Sequence, residues 1–262
     1  MNTDLMINRG IIKYNGNAFE EIDDVIANEY PLTIIVDGDE FATMVCTPDH
    51  LDELVIGFLA SEGIIRAIED IAALSINEDR GFAYVELVQK QTMSKDFFSK
   101  RFIGSCCGKS RQFYLHNDVK TAKTFMKQIE ISVSQCFNLM TKMQEQSTAF
   151  QLTGGLHNAS LCTKDQVLLS RSDIGRHNAL DKIYGYCLKN KLSITDMMIA
   201  FSGRISSEVL LKVSKIGVGI VLSKSAPTTL AVNLANDLGI TAIGFVRGQS
   251  LNVYSHPERI VS

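Results

Sequence analysis

The stretch MMIAFSGRISSEVLLKVSKIGVGIVLSKSAPTTLAVNLANDLGITAIGFV, residues 197–246, decides the fold of this chain. Its apolar runs predict strands, and the amphipathic segments between them predict helices. The strands are predicted at 197–201, 218–222 and 241–246, and the helices at 204–216 and 228–238. Such alternation favours a layered α/β domain with a largely parallel sheet, because parallel neighbours need a crossover connection.

The alternation extends upstream of this stretch. A further strand is predicted at 166–170, with helices at 155–162 and 174–188 and a long helix at about 119–146. We therefore predict one α/β domain over residues 119–262.

A smaller α+β unit is predicted over residues 1–90. Within it, residues 32–46 read LTIIVDGDEFATMVC, two apolar runs on either side of Asp37-Gly38. An Asp-Gly dipeptide in this position favours a hairpin, because the turn requires positive φ. Two more strands are predicted at 71–76 and 82–88.

The helix of this smaller unit has both start and stop signals. Thr47 is predicted as its N-cap, Pro48 as part of its first turn and Gly63 as its end. Apolar residues recur between these signals at helical spacing, at Leu51, Leu54, Val55, Phe58 and Leu59.

Composition excludes several classes of protein. A net charge of −3 and a pI near 6.0 give no bulk attraction for nucleic acid. The opening MNTDLMINRG does not have the pattern of a signal peptide, and no apolar run approaches the roughly 18 residues of a membrane span. We therefore expect a cytoplasmic protein that binds neither nucleic acid nor membrane.

The chain has six cysteines, and one adjacent pair differs from the rest. Single cysteines among apolar neighbours are predicted to be buried, namely Cys46, Cys136, Cys162 and Cys187. Cys106 and Cys107 instead lie in an aperiodic stretch, 89–118, and we predict a mobile cysteine loop over 91–118. Cations near the pair favour its thiolates, at Lys100, Arg101, Lys109 and Arg111.

Three other interpretations of this pair are open. The cysteines could be incidental residues of a surface loop, a zinc site or a redox disulfide. The chain contains no Cys-x-x-Cys, and adjacent cysteines are poorly placed either to share one metal or to form an unstrained disulfide. A nucleophilic or sulfur-carrying thiol is the hypothesis we favour.

Glycines, arginines and histidines follow the predicted strands of the second domain. They occur in TGGLHNASL (153–161), SDIGRHNALDK (172–182), FSGRISSEVLLK (201–212), SKSAPTTLA (223–231) and GFVRGQSLNVYSHPERI (244–260). The carboxyl ends of strands are where open α/β sheets bind ligands, and exposed N–H groups at helix starts suit phosphate. Gly203 and Gly248 are candidates for such contacts, helped by Arg204 or Arg247. His157 and His177 are also candidates, although a single histidine is more often structural.

Taken together, these motifs resemble the FdhD/NarQ family of formate dehydrogenase accessory sulfurtransferases. GSCCG, TGGLHNA, SDIGRHNALDK, SGRISSEVLLK, SAPTTLA and GFVRGQSLNVYSHPERI carry the resemblance, which covers nearly the whole chain. It implies a cytidine-deaminase-like α/β domain behind the small α+β domain, and a homodimer. It also implies sulfur transfer from a cysteine desulfurase, as a cysteine persulfide, to the bis(molybdopterin guanine dinucleotide) cofactor of molybdenum or tungsten before insertion into formate dehydrogenase.

The resemblance also implies site residues. Cofactor-binding positions are Phe245, Val246, Arg247, Gly248, Gln249 and Ser250, to which we add Gly203, Arg204 and His177. Some members read Cys-Gly-x-Cys-Gly where this chain reads Gly-Ser-Cys-Cys-Gly, so we expect Cys107 to bear the persulfide and Cys106 to matter less. The molybdenum cofactor is expected as a bound substrate, with no tightly bound metal besides.

Two other functions are alternatives to this one. Zinc-dependent deamination needs His-x-Glu and Pro-Cys-x-x-Cys, and neither motif occurs in the chain. A non-catalytic chaperone that holds the molybdenum cofactor fits the phosphate motifs equally well, but leaves the cation-flanked thiols unexplained.

Overall fold

The computed structural model describes residues 5–89, 101–103, 122–126 and 129–261. Its strands are β1 (Met6–Tyr14), β2 (Phe19–Ala27), β3 (Tyr30–Val36), β4 (Asp39–Cys46), β5 (Ile71–Asn77), β6 (Phe82–Leu87), β7 (Arg101–Ile103), β8 (Ile131–Ser132), β9 (His157–Cys162), β10 (Val167–Asp173), β11 (Met198–Phe201), β12 (Ile220–Ser223), β13 (Thr241–Arg247), β14 (Ser250–Val253) and β15 (Ile260–Val261). Its α-helices are α1 (Leu51–Ser61), α2 (Val133–Glu145), α3 (Thr148–Thr153), α4 (Arg176–Lys189), α5 (Ser207–Ile216) and α6 (Thr229–Leu238).

The larger sheet has six strands in the order β10-β9-β11-β12-β13-β14. Only the pairs β11–β12 and β12–β13 are parallel, and the other three pairs are antiparallel. The prediction of a largely parallel sheet is therefore wrong at the two sides of the sheet. The turns after β9 and β13 are too short for a crossover connection. The next strand, β10 or β14, therefore pairs antiparallel with the strand before it.

One predicted helix, 155–162, is a strand instead. β9 spans His157–Cys162 and lies inside the sheet, between β10 and β11. Ala159 and Leu161 pack into one core cluster and Cys162 into the other. A strand buried on both faces does not alternate apolar and polar residues. The periodicity of its sequence therefore cannot distinguish it from a short buried helix.

The predicted long helix, 119–146, begins much later than expected. α2 starts at Val133, where the Ser132 hydroxyl and the Gln135 side chain form a capping box. Before it, the Phe125 N–H donates to Leu238 O at 2.8 Å, and a Cβ at Gly219 would lie 2.2 Å from the Phe125 ring. Residues 122–126 are therefore held as a strap against the sheet rather than as the start of a helix.

Helices cover both faces of the six-stranded sheet. Along β11, Met198 and Ala200 belong to the core cluster that contains α2, whereas Ile199 and Phe201 belong to the cluster that contains α4 to α6. Alternate side chains of one strand thus enter two cores. The layered α/β fold that we predicted is confirmed.

The smaller unit is a five-stranded sheet in the order β5-β6-β3-β4-β7, with α1 packed on it. The predicted hairpin is confirmed, since β3 and β4 pair around Asp37 and Gly38, whose φ angles are 50° and 92°. Within the predicted loop, Arg101–Ile103 forms β7, parallel to β4. Cys106 and Cys107 lie outside the described residues.

Helix α1 begins three residues after the predicted start. Its N-cap is His50, with φ 49°, and no side chain caps the helix there. Thr47 is engaged elsewhere, because its N–H donates to the buried carboxylate of Asp173 at 3.0 Å. The predicted stop is confirmed at Gly63, which has φ 76° just beyond the last turn.

The two sheets are joined where α1 crosses α4. A Cβ on Gly57 would lie 1.8 Å from Asp181 O, and a Cβ on Gly185 would lie 1.8 Å from Glu53 O. The two backbones are therefore in direct contact, and one core cluster contains side chains from both sheets. The boundaries that we expected at 1–90, 91–118 and 119–262 stay a prediction.

A two-stranded ribbon, β1 and β2, precedes both sheets and was not predicted. Its strands pair antiparallel from Met6↔Ala27 to Tyr14↔Phe19. Large apolar side chains are exposed on it, including Ile12 (68%) and Phe19 (76%). None of the helices within the described ranges is long and apolar enough to span a membrane.

Candidate functional site

The carboxyl ends of β11, β12 and β13 meet at one edge of the larger sheet. The loops after these strands are tied together through their backbones. The Ser223 hydroxyl donates to Gly203 O at 2.7 Å, and the Phe245 N–H donates to Ser225 O at 3.3 Å. The Ile205 N–H donates to Ala226 O at 3.2 Å. We call these three loops, 202–206, 223–228 and 245–249, the loop edge.

Strand β9 begins at the loop edge and brings His157 to it. Asn158 and Ser202 bond reciprocally, with Asn158 N to Ser202 Oγ at 2.9 Å and Ser202 N to Asn158 O at 3.0 Å. A Cβ at Gly203 would lie 3.3 Å from His157 Nδ1 and 3.1 Å from the Phe201 ring. A side chain at this position would therefore push the imidazole or the Phe201 ring aside by a few tenths of an ångström. Burial and the nearby Arg176 lower the pKa of His157, although Asp173 opposes them.

Phe245 and Arg247 form the outer part of the loop edge. Phe245 is a non-glycine residue at φ 52°, where the pairing of β13 with β14 is irregular. The Arg247 guanidinium lies 5.0 Å from the centre of the Phe245 ring, and Gly248 turns the chain at φ 59°. Arg247 and Gly248 are exposed, so both are accessible to a ligand.

Other predicted positions differ in what they can offer. Arg204, Gln249 and Ser250 are exposed, whereas the side chain of Val246 is fully buried in the core cluster that contains α2. Only the backbone of Val246 could face a ligand.

His177 lies in the first turn of α4. This helix starts beside the loop edge, because Asp173, three residues before it, pairs across the strands with His157. Its Nε2 is 3.3 Å from Glu208 Oε2 in the first turn of α5. This histidine therefore already has a carboxylate beside it, which weakens its assignment as a ligand-binding residue.

The charge at the loop edge is mainly positive. Its cations come from separate elements and are at least partly exposed, at Arg176, Arg204, Lys224 and Arg247. Of the acids beside them, Asp173 is fully buried and bonded internally, and Glu208 pairs with His177. Arginine and lysine side chains are the groups that bind phosphate oxygens.

Behind the loop edge lies a buried ionic network that the sequence did not reveal. Lys182 is fully buried, and its Nζ lies 2.9 Å from Asp173 Oδ2 and also pairs with Asp49. Asp173 further accepts hydrogen bonds from the N–H groups of Thr47 and Gly175. SDIGRHNALDK contains Asp173 and Lys182, but their partners Thr47 and Asp49 are more than a hundred residues away, so no local pattern indicates the network.

The four described cysteines are all free and buried, as predicted, at Cys46, Cys136, Cys162 and Cys187. Burial raises the pKa of Cys136 to about 11 and those of Cys162 and Cys187 to about 12. The pKa of Cys46 is also raised, first by burial and then by Asp173. Thiols in this state are poor nucleophiles.

No metal cluster is present among the described residues of the loop edge. Within the part of the chain that the structure describes, no three His, Cys, Asp or Glu side chains are grouped to hold a metal ion. A cavity of about 250 Å³ lies elsewhere, between the 122–126 strap and Gly217. The loop edge is identified by its backbone and its charge.

Comparison with known proteins agrees with the motifs. A family model described as the FdhD/NarQ family matches residues 27–261. A sulfur carrier protein FdhD of Geobacillus kaustophilus is 60% identical over 97% of this chain and 96% of its own length. The Bacillus subtilis protein of the same name is 56% identical over 99% of both chains.

A solved structure shares the fold. The crystal structure of a putative formate dehydrogenase accessory protein from Desulfotalea psychrophila superposes with a TM-score of 0.81. It covers 98% of this chain and 100% of its own, at 22% sequence identity.

Proposed function

This chain belongs to the FdhD/NarQ family, and on that premise we propose that it is a sulfur carrier for the maturation of formate dehydrogenase. In this role it accepts sulfur from a cysteine desulfurase as a persulfide. It then passes the sulfur to bis(molybdopterin guanine dinucleotide)-bound molybdenum or tungsten, its substrate. The cytoplasm is the proposed location.

The observation that carries this proposal is the state of the cysteines. Four of the six are buried with raised pKa values, which leaves Cys106 and Cys107 as the candidates for a reactive thiol. Four basic residues lie near them in the sequence, and cations stabilise a thiolate. Cys107 is the preferred bearer of the sulfur, because it matches the family motif before Gly108.

The proposed loading step needs no oxidant. The Cys107 thiolate attacks the terminal sulfur of the desulfurase persulfide and forms a new S–S bond. The S–S bond in the desulfurase breaks, and its cysteine leaves as a thiolate. The carrier then holds one additional sulfur atom on Cys107.

The loop edge is the proposed site for the guanine nucleotide of the substrate. Gly248, Arg204 and Arg247 are exposed there, whereas Gly203 is buried, and we propose that N–H groups near the two glycines and the two guanidinium groups donate to phosphate oxygens. Phosphates held there would fix one end of the substrate while its metal end receives the sulfur.

Intact-mass measurement after incubation with a cysteine desulfurase and cysteine tests the carrier function. We expect a gain of one sulfur atom that a reductant removes, complete loss of this gain in Cys107→Ala, and a smaller loss in Cys106→Ala. Cys136→Ala is the matched control, because this thiol is buried. Unchanged loading of the Cys107→Ala protein would overturn the assignment.

The loop edge equally suits a non-catalytic chaperone that only holds the molybdenum cofactor. That function predicts nucleotide binding without sulfur loading. If Cys107→Ala supports normal formate dehydrogenase activity while loop-edge variants do not, the chaperone is the correct function.

A further inference from the structure

Helix α4 begins with positive charge, which is unusual at this end of a helix. Its first turn contains Arg176 and His177 but no acidic residue, and its N-cap, Gly175, has no side chain to accept a hydrogen bond. The helix dipole disfavours a cation at the N-terminus. Helices α1 and α5 follow the usual pattern, with acidic residues in their first turns. The cation at the start of α4 therefore calls for a separate explanation.

The neighbours of Arg176 place it beside the loop edge. Strand β10, which precedes α4, ends at Asp173, and Asp173 pairs across the strands with His157. Burial lowers the pKa of His157, and the charge of the nearby Arg176 lowers it further. A Cβ on Gly203 would lie 3.3 Å from His157 Nδ1, so the loop after β11 also reaches this imidazole. Arg176, which is only partly buried, thus adjoins the part of the loop edge that follows β11.

One buried carboxylate fixes the turn that leads into Arg176. Asp173 Oδ1 accepts hydrogen bonds from the Gly175 N–H at 2.8 Å and from Asn178 Nδ2 at 2.9 Å. Its Oδ2 accepts a hydrogen bond from the Thr47 N–H at 3.0 Å. The turn is therefore held on one side by the start of α4 and on the other by the loop before α1. Because Arg176 directly follows this turn, its place beside the loop edge depends on Asp173.

From this geometry we infer that Arg176 binds a phosphate of the substrate nucleotide and that Asp173 positions Arg176 to do so. This role rests on the proposed nucleotide site and adds two residues to it. A guanidinium group binds phosphate oxygens through charge-assisted hydrogen bonds. A bound anion also offsets the unfavourable charge at the start of α4. Asp173 acts indirectly, since its side chain is fully buried.

Calorimetric titration with GDP tests the role of Arg176. Arg176→Gln removes the charge and is expected to raise the Kd by about tenfold or more, because a charge-assisted hydrogen bond is lost. Arg66→Gln, at an exposed position beyond α1, is the matched control and is expected to bind like the wild type. Equal affinity of the Arg176→Gln and wild-type proteins would overturn this inference alone. A wild type that does not bind GDP would refute the proposed nucleotide site, and the role of Arg176 with it.

A double-mutant cycle tests the role of Asp173. Asp173→Asn is expected to raise the Kd for GDP in the otherwise wild-type chain. In the Arg176→Gln protein the same substitution is expected to have no further effect, because the carboxylate acts through Arg176. Effects that add in the double variant would show that Asp173 does not position Arg176.

Two more variants separate positioning from a loss of stability. Gly175→Ala retains every charge, but its Cβ would lie 2.7 Å from Asn178 Nδ2, so it disturbs the same turn. We expect it to raise the Kd and to be non-additive with Arg176→Gln, which keeps the test open if Asp173→Asn does not fold. Thr47→Val removes a hydroxyl 3.0 Å from Asp173 Oδ2, the oxygen that does not hold the turn. It is expected to lower Tm without changing the Kd. If Thr47→Val weakens GDP binding as much as Asp173→Asn, the positioning role is wrong.

Discussion

At the scale of single residues, the backbone of Phe245 is the most unusual feature of the loop edge. A non-glycine residue at positive φ is disfavoured by about 1–2 kcal/mol, and persists where surrounding contacts fix it. Here the Phe245 N–H is bonded to Ser225 O, and the ring lies under the Arg247 guanidinium. The conformation holds a cation over an aromatic face at the point where the chain turns back.

Arg247→Ala is therefore expected to weaken the binding of GDP. Loss of a charge-assisted hydrogen bond costs about 1.5–3 kcal/mol, which corresponds to a roughly 10- to 150-fold rise in Kd. Isothermal titration calorimetry measures both proteins, with Arg80→Ala in an exposed turn as the control. Equal affinity of the Arg247→Ala and wild-type proteins would show that Arg247 is not a nucleotide ligand.

At the scale of helices and strands, the crossing of α1 and α4 fixes the smaller sheet on the larger one. Two glycines, Gly57 and Gly185, allow backbone contact that no other residue type permits. Ionic contacts surround this crossing. Arg171 is bidentate to Glu53 at 2.6 and 2.8 Å, and Lys212 pairs with Asp181. The crossing is thus specific in both shape and charge.

Gly57→Ala is expected to destabilise the protein despite the better helix propensity of alanine. The substitution gains at most about 1 kcal/mol within the helix, but its Cβ would lie 1.8 Å from Asp181 O. Overpacking costs about 1–3 kcal/mol and sometimes more, and each 1 kcal/mol lowers Tm by about 2–4 °C in a chain of this size.

Thermal unfolding followed by circular dichroism measures the difference in Tm between the Gly57→Ala and wild-type proteins. Gly10→Ala is the control, because the atom nearest to its new Cβ is 3.9 Å away. A Gly57→Ala protein as stable as the wild type would mean that the two helices can separate without loss of packing.

How well elements could be predicted depended on where their partners lie. The β3–β4 hairpin is fixed by its own turn, and α4, α5 and α6 by local periodicity, so their existence was predictable. β9 looks helical because both of its faces are buried, and residues 122–126 are extended because Gly219 and Gly239 accommodate Phe125. In both cases distant residues decide the conformation. At the loop edge, the predicted loops after β11, β12 and β13 are confirmed, but the helix predicted around His157 is a strand and the burial of the Val246 side chain was not predicted.

At the scale of the whole molecule, the Asp49–Lys182–Asp173 network connects the loop before α1 with the larger sheet and α4. Burial alone would raise the pKa of Asp49, but the charge and hydrogen bond of Lys182 outweigh it, and the pKa is lowered. Burial would likewise lower the pKa of Lys182, but Asp173 and Asp49 outweigh it, and the pKa is raised. Both groups are therefore charged across the neutral range.

The network has a defined effect on stability in acid. A carboxyl whose folded-state pKa is lowered contributes stability that is complete above its unfolded value of about 3.9. This contribution is lost as the pH falls through the folded-state pKa. The raised pKa of Lys182 acts at the opposite end, since its contribution is lost only as the pH rises through a value above about 10.4.

We expect Asp49→Asn to be less stable than the wild type at pH 7 and to lose less stability as the pH falls below about 4. Urea unfolding at each pH gives the free energy of unfolding of both proteins as a function of pH. Asp79→Asn, in an exposed turn, is the control. Parallel pH profiles of the Asp49→Asn and wild-type proteins would show that this carboxyl does not couple protonation to folding.

The contact between α1 and α4 also means that chain continuity is not what unites the two parts of the molecule. The core cluster draws on residues from 30–87 and from 159–242, so each part covers apolar surface that the other would expose to water. Fragments ending at Ile103 and beginning at Ala122 would therefore need each other to fold, and would reassemble as a two-piece protein. A gene split between these positions could encode two fragments that assemble stably and lack Cys106 and Cys107. Different cysteine-bearing linkers could then be added to the assembled pair.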